Sequence, residues 1–165
     1  GSEMCIRDSI RGNVPTRLKK LETLDCQGSI MAIAGLLRLE ILPKQHTILD
    51  WMVPAPAQGA LLVTTLESNK DLTSKLLPLN HNETAICVTQ ERIFLRELEG
   101  GCTAPIGAVA KIEGDQIHFV GNITQRIGKQ QLFFNQCMPT TKANDIGSIA
   151  AQDLLSRGAK KLIDG

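Results

Sequence analysis

The second half of the chain alternates between helical and strand periodicities, and glycine or a turn sequence marks most changes of period. The predicted elements are a helix that begins at Asn82 or Thr84 and ends before Gly100-Gly101, strands at Ile106–Ile112, Gln116–Ile123 and Gln131–Met138, and a helix at Ile146–Leu155 closed by Gly158. The sequence Glu113-Gly114-Asp115 fits a hairpin turn between the first two strands. This order predicts a small α+β domain with a three-stranded antiparallel sheet.

The first half has short apolar runs that alternate with helical patterns. Ser29–Ala34 and Ala60–Leu66 are predicted as strands, and residues 42–59, with three prolines and a glycine, as a connection. The predicted helices are one capped by Asn13 with Pro15 in its first turn, one at Leu36–Ile41 and one at Asp71–Leu79. Strand followed by helix is typical of an α/β unit with a parallel sheet.

The fold class is therefore predicted as α/β plus α+β, with a boundary near residue 80. Residues 10–79 would be an incomplete α/β region, and residues 80–165 a domain that folds independently and is the more stable of the two. Residues 1–9 share no periodicity with the segment after them and resemble an expression scar or non-native leader.

Composition narrows the class of function. The 165 residues carry a formal net charge of +1 and contain one Trp and no Tyr, which argues against a nucleic-acid binder. No apolar run reaches the about 18 residues of a membrane span. The five cysteines are odd in number and form no CxxC pair, and the three histidines have no metal-ligand spacing. Reduced thiols and a cytoplasmic location are the simplest interpretation.

Two groups of arginines are candidates for anion binding. Arg11 and Arg17 flank the predicted helix start in RGNVPTR, where positive side chains oppose the helix dipole unless an anion is bound. Arg38 follows the predicted strand Ser29–Ala34, at the edge where parallel sheets bind ligands. The simpler alternative for all three is a solvated surface arginine.

Two loops are further candidates. Cys102 follows two glycines in LEGGCTAPIG, which suits a reactive loop thiol, although a lone cysteine is more often a small buried hydrophobe. Gln58 and Gly59 end a proline-rich segment that resembles a hinge or the rim of a site. The remaining groups receive structural interpretations: buried hydrophobes for Cys26, Cys87 and Cys137, a helix start for His81-Asn82-Glu83, and helix-surface ion pairs for most of Glu91, Arg92, Arg96 and Glu99.

Five segments in order carry a family resemblance. They are RGNVPTRLKKL, IAGLLRL, PAPAQGAL, LNHNETA and QERIFLRELEGGCTAPIGA, which together resemble porphobilinogen deaminase from about Arg11 to the C-terminus. The ERxFLxxLEGGC pattern is highly specific for that family, and its occurrence after RGNVxTRL makes chance very improbable.

The resemblance implies a function in tetrapyrrole and haem biosynthesis. The family enzyme condenses four porphobilinogen molecules into hydroxymethylbilane and releases ammonia, and it is usually monomeric. A dipyrromethane cofactor, attached by a thioether to the residue that Cys102 matches, primes the reaction. Arg11, Arg17 and Arg38 match family arginines that bind carboxylates, and Gln58 and Gly59 match a rim segment near the cofactor. Arg92 matches a family arginine near the cysteine loop. The implied fold has two domains that resemble periplasmic binding proteins, followed by an α+β domain.

The sequence departs from the family pattern in three places. No residue matches the family's catalytic aspartate, which belongs to an N-terminal segment, so we expect this chain to be inactive by itself and assign it no catalytic residue. Cys26-Gln27-Gly28 replaces an aromatic-acidic-Ala sequence, and Pro56-Ala57 replaces Val-Gly. A non-catalytic carboxylate-binding module and an interaction domain with a buried Cys102 remain as alternatives.

Overall fold

The computed structural model of the protein describes residues 10–24, 28–99, 104–125, 128 and 130–164. The chain divides between Leu49 and Asp50 into two compact units, each built around its own elements. The division falls earlier than residue 80, and the independent folding of residues 80–165 stays a prediction.

The first unit contains two short helices, α1 at Val14–Leu21 and α2 at Ile33–Arg38. Helix α1 begins as predicted, because the Asn13 side chain accepts a hydrogen bond of 2.9 Å from the Thr16 backbone N–H. The helices approach closely at one point, since a Cβ atom built on Gly35 would lie 3.7 Å from Cγ2 of Val14. Leu36 is the buried residue of α2.

The strand predicted at Ser29–Ala34 is wrong. Helix α2 takes up the end of this run, and all strand pairing among the described residues lies between positions 106 and 139. A strand needs a neighbour for its backbone N–H and C=O groups. In IAGLLR, Ala, Leu and Arg favour a helix, which satisfies those groups within the segment.

The second unit starts with a long connection that leads to α3 at Lys70–Leu76 and a 3₁₀ turn at Leu77–Leu79. This helix confirms the prediction for Asp71–Leu79. The strand predicted at Ala60–Leu66 is wrong, because the segment pairs with no strand among the described residues. Its apolar side chains face solvent, with Leu61 90% exposed.

The remaining elements form the predicted α+β arrangement. They are α4 at Asn82–Glu97, β1 at Ile106–Glu113, β2 at Gln116–Thr124, β3 at Gln131–Pro139, a 3₁₀ turn at Thr140–Asp145, α5 at Ile146–Ser156 and α6 at Ala159–Asp164. The strands form an antiparallel sheet in the order β1-β2-β3. In the β1–β2 hairpin Glu113 pairs with Gln116, and Gly114 has a φ of 63°. Helix α6 has no counterpart in the sequence prediction.

The core of this unit lies between the sheet and helices α4 and α5. Phe94 of α4 is fully buried and meets Phe119 of β2 edge-to-face, with 5.4 Å between ring centroids. Gln90, also buried, accepts a 3.1 Å hydrogen bond from the Gly147 N–H at the start of α5. Because a Cβ atom at position 147 would collide with the Gln90 carbonyl, glycine is what lets α5 approach α4 so closely. The core therefore fixes α4, the helix that precedes Cys102 in sequence.

Candidate functional site

The start of α1 forms a cationic surface of the first unit. Arg11 and Arg17 are both exposed. The Arg17 Nε–H donates to the Gly12 carbonyl at 2.9 Å, and the Lys20 ammonium donates to the Arg11 carbonyl at 2.9 Å. Gly12 has a φ of 130°, and a Cβ atom there would lie 2.8 Å from Cγ2 of Thr16, so this turn requires glycine. The turn thus holds the Arg17 guanidinium and the Lys20 ammonium against its backbone carbonyls.

Arg38 is the last residue of α2 and is also exposed. The structure therefore places Arg38 at a helix end, and its predicted position beyond a parallel strand is wrong.

This set of donors suits a ligand with several carboxylates. Planar guanidiniums bind carboxylates with paired hydrogen bonds. Within residues 10–24 and 28–49, no ion pair engages Arg11, Arg17 or Arg38. The side chains present therefore fit the acetate and propionate groups of a dipyrromethane.

In the second unit, Gln58 and Gly59 form a tight, exposed turn. The Gln58 N–H donates to the Ala55 carbonyl at 3.2 Å, and Gly59 has a φ of 89°, a backbone conformation that favours glycine. Ala57, just before them, has a φ of 61°, which is uncommon for a residue with a side chain. The rim segment identified in the sequence is therefore a turn with two demands on backbone geometry.

Glu91 forms a hydrogen bond to the backbone of this turn, a role that the sequence interpretation missed. Its two carboxylate oxygens accept hydrogen bonds from the backbone N–H groups of Ala57, at 2.6 Å, and of Ala110, at 2.8 Å. Burial raises the pKa of the Glu91 carboxyl, and these two N–H groups partly offset the increase. The helix-surface interpretation of Glu91 is wrong, because the side chain is only 7% exposed.

Among the described residues, the three ion pairs all lie outside α4, and Glu99, which follows the helix, pairs with Lys160, so the ion pairs predicted along this helix are wrong as well. A usable signal was present in the sequence. Glu91 falls on the stripe of Cys87, Phe94 and Leu98, which the helical period places on the buried face.

An open cleft of about 450 Å³ is lined by the turn, α4 and β1. Its wall contains charges of both signs and a thiol; the titratable side chains are His81, Glu83, Cys87, Glu91, Lys111 and Glu113. Cys87 is buried as predicted, and burial, followed by the nearby Glu91, raises the pKa of its thiol. His81 caps α4, as expected for a helix-start cluster, with its Nδ1 3.3 Å from the Thr84 N–H.

The structure describes Cys87 and Cys137 but not every cysteine of the sequence. Cys102 and Cys26 lie outside the described residues, so the candidate attachment site stays a prediction. The interpretation of Cys137 as a buried hydrophobe is wrong: it is exposed, with its Sγ 3.3 Å from Oε1 of Gln116 and 3.4 Å from Nε2 of His118. Strand alternation explains this, because Phe134 of β3 faces the core and position 137 faces the other side.

Comparison with known proteins decides the family. Residues 3–74 match the family model described as porphobilinogen deaminase, dipyromethane cofactor binding domain, and residues 85–156 match porphobilinogen deaminase, C-terminal domain. The chain belongs to the porphobilinogen deaminase family. The sequence-based recognition is thereby confirmed, together with the dipyrromethane cofactor of this family.

Curated porphobilinogen deaminases give the same result. That of Francisella tularensis subsp. novicida is 37% identical over 161 residues, which cover 96% of this chain and 53% of the relative. That of Syntrophotalea carbinolica is 36% identical over 157 residues, covering 94% of this chain and 50% of the relative. The chain thus spans about half the length of these porphobilinogen deaminases.

Two further properties bear on the class of site. Within the described ranges, no three side chains of His, Cys, Asp or Glu are grouped so that they would hold a metal ion. No helix found there has the length and apolar character needed to cross a membrane.

Proposed function

We propose that this chain is the part of a porphobilinogen deaminase that carries the dipyrromethane cofactor, attached by a thioether to Cys102. The observation that carries the proposal is the succession, in one chain, of the family's cofactor-binding and C-terminal domains. The full-length enzyme would condense four porphobilinogen molecules into hydroxymethylbilane. When bound, the dipyrromethane supplies the pyrrole to which the first substrate unit is joined.

The residues of this chain would bind and orient the cofactor. Arg11, Arg17 and Arg38 would pair with its carboxylates through guanidinium forks, while Gln58 and Gly59 would form the rim beside it. The exposure of these arginines and the absence of ion-pair partners among residues 10–24 and 28–49 support this role. Arg92 is proposed to lie near the cysteine loop.

Elongation is expected to need a catalytic aspartate that no residue of this sequence matches. These 165 residues by themselves should therefore bind the cofactor without extending it. We further propose that residues 10–79 belong to domains of the periplasmic-binding-protein type and residues 80–165 to the domain that contains Cys102. A monomeric state and a cytoplasmic location complete the proposal.

Carboxylate recognition can be tested by equilibrium binding of a synthetic dipyrromethane that bears acetate and propionate groups, compared with its methyl esters. Each hydrogen-bonded charge pair contributes about 1.5–3 kcal/mol, and 1.4 kcal/mol is tenfold in affinity, so Arg11→Gln and Arg17→Gln should each weaken binding by about tenfold or more. Arg96→Gln, an exposed arginine of α4, is the matched control and should bind as the parent does. Equal binding of acid and ester would contradict the proposal, and reversible binding that never becomes covalent would indicate a carboxylate-binding module instead.

A further inference from the structure

The Glu91 carboxylate is occupied on both oxygens by backbone groups from distant parts of the chain. Oε2 accepts from the N–H of Ala57, 34 residues earlier, and Oε1 accepts from the N–H of Ala110, 19 residues later. The side chain is almost fully buried. A buried charge with both oxygens satisfied by the backbone is a strong geometric constraint on the two segments that it joins.

One of those segments is strand β1, which contains Ala110 and forms an edge of the sheet. Among the described residues, β2 is the one strand that pairs with β1, so the N–H groups on the other side of β1 need partners. The Ala108 N–H donates to the Pro54 carbonyl at 2.9 Å, and the next outward N–H, that of Ala110, donates to Glu91. The segment before the rim therefore runs beside β1 as far as Pro54, and Glu91 continues the edge where the backbone turns away.

The other segment is the rim turn itself. Ala57 has a φ of 61°, a left-handed conformation that places its Cβ close to the following carbonyl. Glycine adopts this conformation most easily, and alanine occupies the position here. The hydrogen bond to Glu91 compensates, because it is made only when the Ala57 N–H points at the carboxylate.

We propose that Glu91 is a positioning residue, whose carboxylate fixes the Gln58–Gly59 turn against strand β1. The consequence for cofactor binding rests on the proposed function, since Gln58 and Gly59 matter there only as the rim of the dipyrromethane site. The turn would then keep a fixed position relative to the sheet of β1, β2 and β3, which follows Cys102 in sequence. Glu91 itself touches neither cofactor nor substrate in this account.

The titratable groups around Glu91, and its two hydrogen bonds, determine the effect of protonating its carboxylate. The groups that share its cleft are Cys87 and Glu83 on α4, His81 at the helix start, and Lys111 and Glu113 on β1, while the rim turn contributes no titratable side chain. Protonation removes the negative charge that both N–H groups face. Both hydrogen bonds should weaken together, because they share one carboxyl group.

Nuclear magnetic resonance of the whole chain tests this directly. As pH is lowered, the amide signals of Ala57 and Ala110 should move with one shared midpoint above the usual glutamate range, and the Glu91 carboxyl carbon should show the same midpoint. The carboxyl carbon separates Glu91 from Glu83 and Glu113. Different midpoints, or no movement of the Ala57 amide, would overturn the proposal, and this measurement needs no variant to fold.

A second measurement uses Glu91→Gln with Glu83→Gln as its control on the same helix. The amide side chain offers one acceptor instead of two, so hydrogen exchange should accelerate at least tenfold at Ala57 or at Ala110, with the core amides of Ile117 and Phe119 unchanged. Glu83→Gln should leave Ala57 exchange unaltered. Unchanged exchange at both Ala57 and Ala110 in Glu91→Gln would refute the positioning role. Neither measurement involves the cofactor, so a failure here is distinguishable from a failure of the proposed function.

Discussion

The contact between Gly121 and Phe94 gives a sharp test of how α4 is seated on the sheet. A Cβ atom at position 121 would lie 2.7 Å from Cζ of Phe94 and 3.1 Å from Cε1 of Phe119. Gly121→Ala therefore forces the rings to move, and overpacking of this kind destabilises by about 1–3 kcal/mol. Phe94→Leu removes the obstructing Cζ and the edge-to-face pair with Phe119.

The loss of stability caused by Phe94→Leu has two contributions. An aromatic pair contributes about 0.5–1.5 kcal/mol beyond burial, and each methylene lost from the core about 0.8 kcal/mol. Leucine has three carbon atoms fewer than phenylalanine, so Phe94→Leu should destabilise the chain by about 3–4 kcal/mol. In the double variant the new methyl group occupies space that the ring has left. The loss should therefore be smaller than the sum of the single losses by at least about 1 kcal/mol.

Urea denaturation followed by far-ultraviolet circular dichroism measures these free energies, provided that the denaturant slopes agree among variants. Phe133→Leu is the matched control, because Phe133 is 43% exposed on the opposite face of the sheet. Its effect should add to that of Gly121→Ala within about 0.5 kcal/mol. Additivity of Gly121→Ala with Phe94→Leu would refute the packing described for α4.

Two further predictions concern the rim turn. Ala57→Gly should stabilise the protein by up to about 1 kcal/mol, because relief of the left-handed conformation outweighs the greater freedom of the unfolded chain; a loss of stability in urea would contradict the strain argument. Glu91 should make stability depend on pH: its raised pKa favours the native state below the usual glutamate range, and this contribution is lost as pH rises through the folded-state pKa. Glu91→Gln should remove that slope from the urea midpoint measured across pH, and an unchanged slope would exclude Glu91 as its source.

The C-terminal part of the fold could be predicted closely because its contacts are local. The hairpin around Gly114 and the helix capped at His81 are determined by turn and capping residues next to them in sequence. The strand predictions for Ser29–Ala34 and Ala60–Leu66 were wrong because a strand depends on distant contacts. Apolar periodicity indicates burial, but a strand also needs a neighbour, and none of the described residues pairs with either segment.

The candidate site also contains residues that local motifs indicate and one residue that depends on distant contacts. Arg11, Arg17, Gln58 and Gly59 could be identified from short motifs, and the structure supplies their local geometry. Glu91 could not be assigned from the sequence, because its partners Ala57 and Ala110 are distant in the chain and offer only backbone groups. A carboxylate on the buried stripe of a helix indicates that such partners exist, because buried polar groups are hydrogen-bonded.

The central claim, that this chain carries dipyrromethane on Cys102, is tested most directly by the intact mass of the purified protein, followed by peptide mapping. The chain should be heavier than its sequence by one thioether-linked dipyrromethane, with the added mass on the peptide that contains Cys102, and a Cys102→Ser variant should lack it. An unmodified Cys102 in protein from cells that make porphobilinogen, or the same added mass on another residue, would contradict the claim.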